Sequence, residues 1–235
     1  VVEDLKDFHV VTVYKRGKLV YDQGVVTAFE KPEIPAHLDA QAHDTFHLPR
    51  LSAKDFTNNR RKVIIGMVDG QIITEDKGYA DAVDVEHDIL KMAVVERHRN
   101  TGHIGLGYLQ GYGLKEGAIA TSVSHDSHNI ICVGCKDEDM AFAVNRIAEN
   151  KGGIVVVKNG AVVAELPLEI AGLMSSKPLV EVNELLENAK AAAHALGVGT
   201  GIDPFMTLSF MALPVIPTVR LTTRGVVDVT TQQYI

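Results

Sequence analysis

The chain has 235 residues, a net charge of −7, and 46% hydrophobic against 23% charged residues, the composition of an ordinary globular protein of one large domain or slightly more. The acidic balance argues against a nucleic-acid partner, which needs a basic face. No apolar run reaches the roughly 18 residues of a membrane-spanning helix, and the polar, acidic opening after Val1 does not read as a secretory leader.

The basic residues are scattered, with Arg60-Arg61-Lys62 the one tight group, read as a solvated start to a strand. Two cysteines, Cys132 and Cys135, fit a reducing cytoplasm better than a disulfide framework. A start at Val1 in mid-pattern, without an initiator methionine, reads as part of a longer polypeptide.

In chain order, VVTVYKRGKLVYD reads as a β-hairpin turning at Arg16-Gly17. A connector follows, KPEIPAHLDAQAHDTFHLPR, broken by Pro32, Pro35 and Pro49 and leaving room for one helical turn. A lobe boundary is expected near residue 50. KVIIGMVDGQIITED reads as a second hairpin turning at Asp69-Gly70, and GGIVVVKNGAVVAELPL as a third turning at Asn159-Gly160. Asp-Gly and Asn-Gly between β-branched runs are strong hairpin signals, because a tight turn of this type needs positive φ. Between these hairpins KMAVVER, HIGLGYLQG, GAIATSVS and NIICVG read as strands.

A helix should open on Asp137-Glu138-Asp139, bury a stripe of Met140, Val144 and Ile147, and end at Gly152-Gly153. A second should start near Pro178, present Val182, Leu185, Leu186, Ala189, Ala193 and Leu196, and stop at Gly197. A short helix, FMTLSFMAL, should end before Pro214, with Asp203 as its cap. Strands in succession followed by a helix predict an α+β fold of hairpin-rich mixed sheets with a few packed helices, and not a βαβ nucleotide-binding sheet.

Most candidate sites yield to structural readings. Cys132 and Cys135 have half a zinc-ribbon spacing without a second pair, and on a strand they face opposite ways, so both read as core residues. Gly105 and Gly107 are followed by Gln110 at the third position, so the dinucleotide pattern fails and close backbone packing explains them better. His98 and His103 read as surface or loop residues.

The run Ser122–Asn129, SVSHDSHN, is different. It sets two histidines, a carboxylate, three hydroxyls and an amide between apolar strands. If extended, Ser124, Asp126 and His128 would share one face, and His125, Ser127 and Asn129 the other. Metal ligation, a nucleophile with its base, a substrate-gripping loop and a hydrogen-bonded turn all stay open.

Three separate segments carry a resemblance: ATSVSHDSHNIICVG, GGIVVVKNGAVVAELPLEIAGLMS and DPFMTLSFMALPVIPTVRLTTRGVVDV. In that order they resemble the C-terminal part of the adenine deaminase family, within the amidohydrolase superfamily. The resemblance implies that residues 1–50 are the piece following the catalytic barrel, completing a small β-sandwich, plus the connector. Residues 51–235 would be the family's C-terminal α+β domain.

It also implies hydrolysis of adenine to hypoxanthine and ammonia by a barrel-bound centre of two manganese or iron ions, in a cytoplasmic homo-oligomer. This chain contains no His-x-His pair and has no room for a barrel of about 250 residues. Metal ligands and main proton-transfer groups are therefore expected upstream, and the isolated chain is expected to bind no metal and be inactive. Its partners would be adenine and its own N-terminal barrel domain, with no nucleic acid and no membrane. His125, Asp126, His128 and Asn129 are the candidates for holding adenine or closing the site. A purely structural or oligomerisation domain, or an independent metal hydrolase at His125, Asp126 and His128, are the alternatives.

Overall fold

The computed structural model describes residues 1–27, 33–57 and 62–235; Arg60 and Arg61 of the basic trio lie outside the described residues. Those described form two compact units, Val1–Asp39 and Ala40–Ile235.

The first unit is a three-stranded antiparallel sheet of β1 (Thr12–Lys15), β2 (Lys18–Asp22) and β3 (Val25–Val26). Its hairpin closes Lys15 onto Lys18 through Arg16 and Gly17, both at positive φ, as the sequence predicts. The connector holds more helix than expected: α1 (Ala36–His43) runs eight residues through its alanine-rich middle, across the division between the units.

The second unit is built on an eight-stranded mixed sheet: β4 (Lys62–Met67), β5 (Thr74–Ala80), β6 (Ile89–Val95), β7 (Ile104–Gln110), β8 (Ala118–Thr121), β9 (Ile130–Gly134), β10 (Gly153–Lys158) and β11 (Ala161–Pro167). The spatial order is β11-β10-β8-β9-β6-β7-β4-β5, antiparallel except where β4 pairs with β7. With four helices among the described residues and mixed sheets, the class is α+β.

Alternate side chains of the central strands enter two different cores. On β6, Leu90, Met92 and Val94 face one and Ala93 and Val95 the other; on β9, Ile131 and Val133 oppose Ile130 and Cys132. Burial on both faces explains why these strands read as unbroken apolar runs rather than alternating ones. It also separates the cysteines: Cys132 lies in one core, and Cys135, beyond the strand, packs against the other. Both are free thiols, and burial pushes both upward, Cys135 to about 11.

One core is closed by α2 (Asp137–Glu149), whose Met140, Val144 and Ile147 are fully buried as its spacing predicts. The other is closed by α3 (Leu179–Ala195), α4 (Pro204–Phe210) and a small sheet of β12 (Val219–Thr222), β13 (Gly225–Asp228) and β14 (Gln233–Tyr234). Pro178 precedes α3, and Gly197 at φ +110 follows its end. The Asp203 carboxylate accepts from the Phe205 and Met206 amides, capping α4.

The third hairpin turns at Asn159-Gly160, both at positive φ, and its amides donate to the buried Asp139 carboxylate of α2. The second departs from expectation. Asp69-Gly70 does form a turn, with Gln71 N donating to Val68 O, but strand pairing resumes only at Met67 with Thr74. The reason is that the Ile72 carbonyl is taken by the buried Arg220 guanidinium and Thr74 bonds to the Pro217–Thr218 segment.

Candidate functional site

The run that opens after β8 is a tight turn, not an extended strand. His128 N donates to Ser124 O at 2.6 Å, and Ser124 N donates to His128 Nδ1 at 3.3 Å. Its base is anchored by Ser122, fully buried, whose hydroxyl accepts from Gly153 N at 2.8 Å and donates to Gly172 O at 2.6 Å. Ser122→Ala leaves both backbone groups unanswered in the interior, and is expected to lower stability by about 1–3 kcal/mol. A denaturant midpoint shift at unchanged slope measures it.

Because β6 and β9 are paired, with Val95 opposite Ile130, the segment leaving β6 lies beside the end of the turn. His98 Nε2 donates to Ser127 O at 2.8 Å. From the other side α4 contributes the Ser209 carbonyl, which accepts from His125 N at 3.2 Å, and the Phe210 ring, whose centroid is 4.9 Å from that of His125.

The candidate residues are thus brought together unevenly. The His125 and His128 rings lie 6.0 Å apart. The Asp126 side chain is 86% exposed and stands 4.0 Å from His125 Nδ1, so it orients neither histidine by a hydrogen bond. Asn129 is buried, with its Oδ1 accepting from Arg97 N. His103 stays exposed. Among the described residues no three His, Cys, Asp or Glu side chains converge as metal ligands. Two surface hollows, of about 480 Å³ beside Asp69, Ile72 and Thr207 and about 250 Å³ beside Lys62, Tyr79 and Arg224, are lined by none of the turn residues.

Arg97 went unnoticed in the sequence. It is 2% exposed, yet it ends the apolar run KMAVVER, and a charge closing a buried strand is the signal that could have marked it. Burial pulls its guanidinium down to about 10, which leaves it charged at neutral pH.

His128 is held below its ordinary range, first by burial and then by the charges of His125, Arg97 and His98, against the opposing pull of Asp126. Protonation would also turn its Nδ1 from the acceptor of Ser124 N–H into a donor. The unfolded chain therefore binds this proton more readily than the folded one. Stability is expected to be undiminished above about pH 6.5 and to fall as pH drops from there through the lower folded-state value. His128→Gln should flatten that part of the thermal-midpoint profile, and an unaltered profile would count against this origin.

A sheet buried on both faces carries this polar turn at one end. Residues 63–233 match the family model described as the adenine deaminase C-terminal domain, and the chain belongs to that family. It is 42% identical over 245 residues to adenine deaminase of Brucella abortus (strain 2308), covering 100% of this chain and 41% of that protein. Adenine deaminase 2 of Carboxydothermus hydrogenoformans is 41% identical over 244 residues, covering 98% and 42%. Adenine deaminase of Nitratidesulfovibrio vulgaris (strain DP4) is 41% identical over 249 residues, covering 99% and 42%. The chain spans about two-fifths of the length of the curated relatives it matches.

Proposed function

We propose that this chain is the C-terminal portion of an enzyme that hydrolyses adenine to hypoxanthine and ammonia, and that the 124–129 turn faces the substrate. Family membership supports the reaction class. The observation that carries the turn's role is that His125 and His128 are fixed through their backbones, His125 N to Ser209 O and His128 N to Ser124 O, while of the His128 ring only Nδ1 is engaged and the Asp126 side chain stays exposed. Neutral His128 uses Nδ1 to accept from Ser124 N–H, so its proton sits on Nε2, free to donate to a ring nitrogen of a purine. In the reaction a water oxygen bonds to C6, the C6–amino bond breaks, and the amino group leaves as ammonia after gaining a proton. The described residues do not fit a metal centre, so the manganese or iron pair belongs in this reading to an upstream barrel domain of the same polypeptide. The turn then closes the site against water, in its own or a neighbouring subunit of a cytoplasmic homo-oligomer.

The test is the full-length polypeptide given adenine. Hypoxanthine and ammonia in equal amounts are expected, and no turnover of adenine by a metal-replete, folded preparation would end the proposal. A structural role for the turn is the second reading, favoured by the inward bonds of Ser122 and Asn129. Unchanged kcat/KM in variants of His125 and His128 would select it.

A further inference from the structure

We propose that Arg97 is the positioning residue of the 124–129 turn, fixing where His125 and His128 are presented. Its guanidinium reaches three separate stretches of chain. Nε donates to His128 O at 2.5 Å, Nη1 to Thr45 O at 2.7 Å and Thr45 Oγ1 at 3.1 Å, and Nη2 to Ala171 O at 3.0 Å. The Phe46 ring lies 4.2 Å from its Cζ. Its own N–H donates to Asn129 Oδ1, so one residue grips two consecutive positions at the end of the turn.

Among the described residues no carboxylate shares these bonds. The Glu96 carboxylate is occupied instead by the amides of His98, Arg99 and Thr101 and the Thr101 hydroxyl. A buried guanidinium bonded only to neutral oxygens among the described residues, three carbonyls and a hydroxyl, is a costly way to fill a core. What it supplies is a planar fork, which a lysine or an apolar residue cannot reproduce. Cutting that fork frees the His128 carbonyl while leaving the Ser124–His128 bonds and the His125–Phe210 contact without their outer support. The inference rests on the proposed function only for what the turn is positioned to meet; the positioning itself is read without adenine.

The experiment compares Arg97→Lys and Arg97→Met with the wild-type chain by NMR, with thermal melts alongside. The charged and titratable groups facing His128 are His125 and Asp126 of the turn and Arg97 and His98 of the segment after β6. In Arg97→Met, exchange of the His128 amide is expected to rise by roughly tenfold or more, as the turn opens locally. The His128 ring should titrate closer to the free value of about 6.5, since a repelling charge and part of the burial are lost. Arg97→Lys keeps the charge without the fork, so it should raise exchange while moving the titration less. Both variants folded, with wild-type exchange and titration of His128, would overturn the proposal. If Arg97→Met does not fold, wild-type exchange in Arg97→Lys overturns it alone. In the full-length enzyme Arg97→Lys is expected to lower kcat/KM. A wild-type enzyme inert toward adenine would remove the deamination reading and leave the NMR result standing.

Discussion

Replacing His125 and His128 together with alanine in the full-length enzyme is expected to lower kcat/KM for adenine by about 10²-fold. In the proposed reading His128 makes one polar contact to the purine, with one more supposed from His125 for this prediction. Losing a contact of this kind is worth about 1–1.5 kcal/mol, and each 1.4 kcal/mol is a factor of ten. The backbone bonds that shape the turn, His125 N to Ser209 O and His128 N to Ser124 O, survive truncation. His128→Ala does remove the acceptor of Ser124 N–H, and His125→Ala the contact with Phe210. A thermal midpoint recorded alongside therefore separates loss of chemistry from loss of fold. Asp126→Ala, at an exposed position, should have the smaller effect on stability. Wild-type kcat/KM in the double variant, with the fold intact, would remove the turn from the site.

The second large effect belongs to the fold. Gly105→Ala is expected to destabilise the chain by about 3 kcal/mol or more, at the upper end of what overpacking costs. A Cβ on Gly105 of β7 would stand 1.8 Å from the Thr222 carbonyl oxygen and 3.0 Å from Gly225 N. Both are backbone atoms of the β12–β13 hairpin, so no side chain can swing away; the small sheet must lift from the large one. For a domain of this size each kcal/mol shifts the midpoint by roughly 2–4 °C, so a drop of about 6–12 °C should appear in a melt. Gly107→Ala meets Val226 and Leu221 methyl carbons at 3.2 and 3.5 Å and the Val63 carbonyl oxygen at 3.7 Å, an ordinary contact distance, and should cost much less. Equal midpoints for the two variants would contradict this packing.

That contrast shows what the sequence could and could not say. The glycines of TGHIGLGYLQG were legible as close packing because their spacing failed the dinucleotide pattern. Which of them touches backbone depended on a hairpin more than a hundred residues later in the chain. Strands β6, β8, β9 and β10 were legible from apolar runs, and the Asn159-Gly160 hairpin from turn chemistry that acts locally.

The Asp69-Gly70 hairpin was legible only at its tip, because Arg220 competes for the Ile72 carbonyl and that contact spans the chain. The candidate site followed the same rule. A dense polar run between apolar strands marked residues 122–129 as worth attention. The partners that shape it come from distant segments: Ser209, Phe210 and Gly172 carry no local signature, and Arg97 only that of a charge closing a buried strand. The extended-strand grouping of Ser124, Asp126 and His128 gave way because the Ser124–His128 backbone bond and the positive φ of His128 bend the run into a turn.

The most direct test is ammonia release from adenine by the purified 235-residue chain, measured alone and after addition of a separately expressed upstream segment. The account predicts none above the buffer rate from the chain alone, and turnover only when the upstream segment is supplied. Enzymatic ammonia release by the chain alone would contradict it.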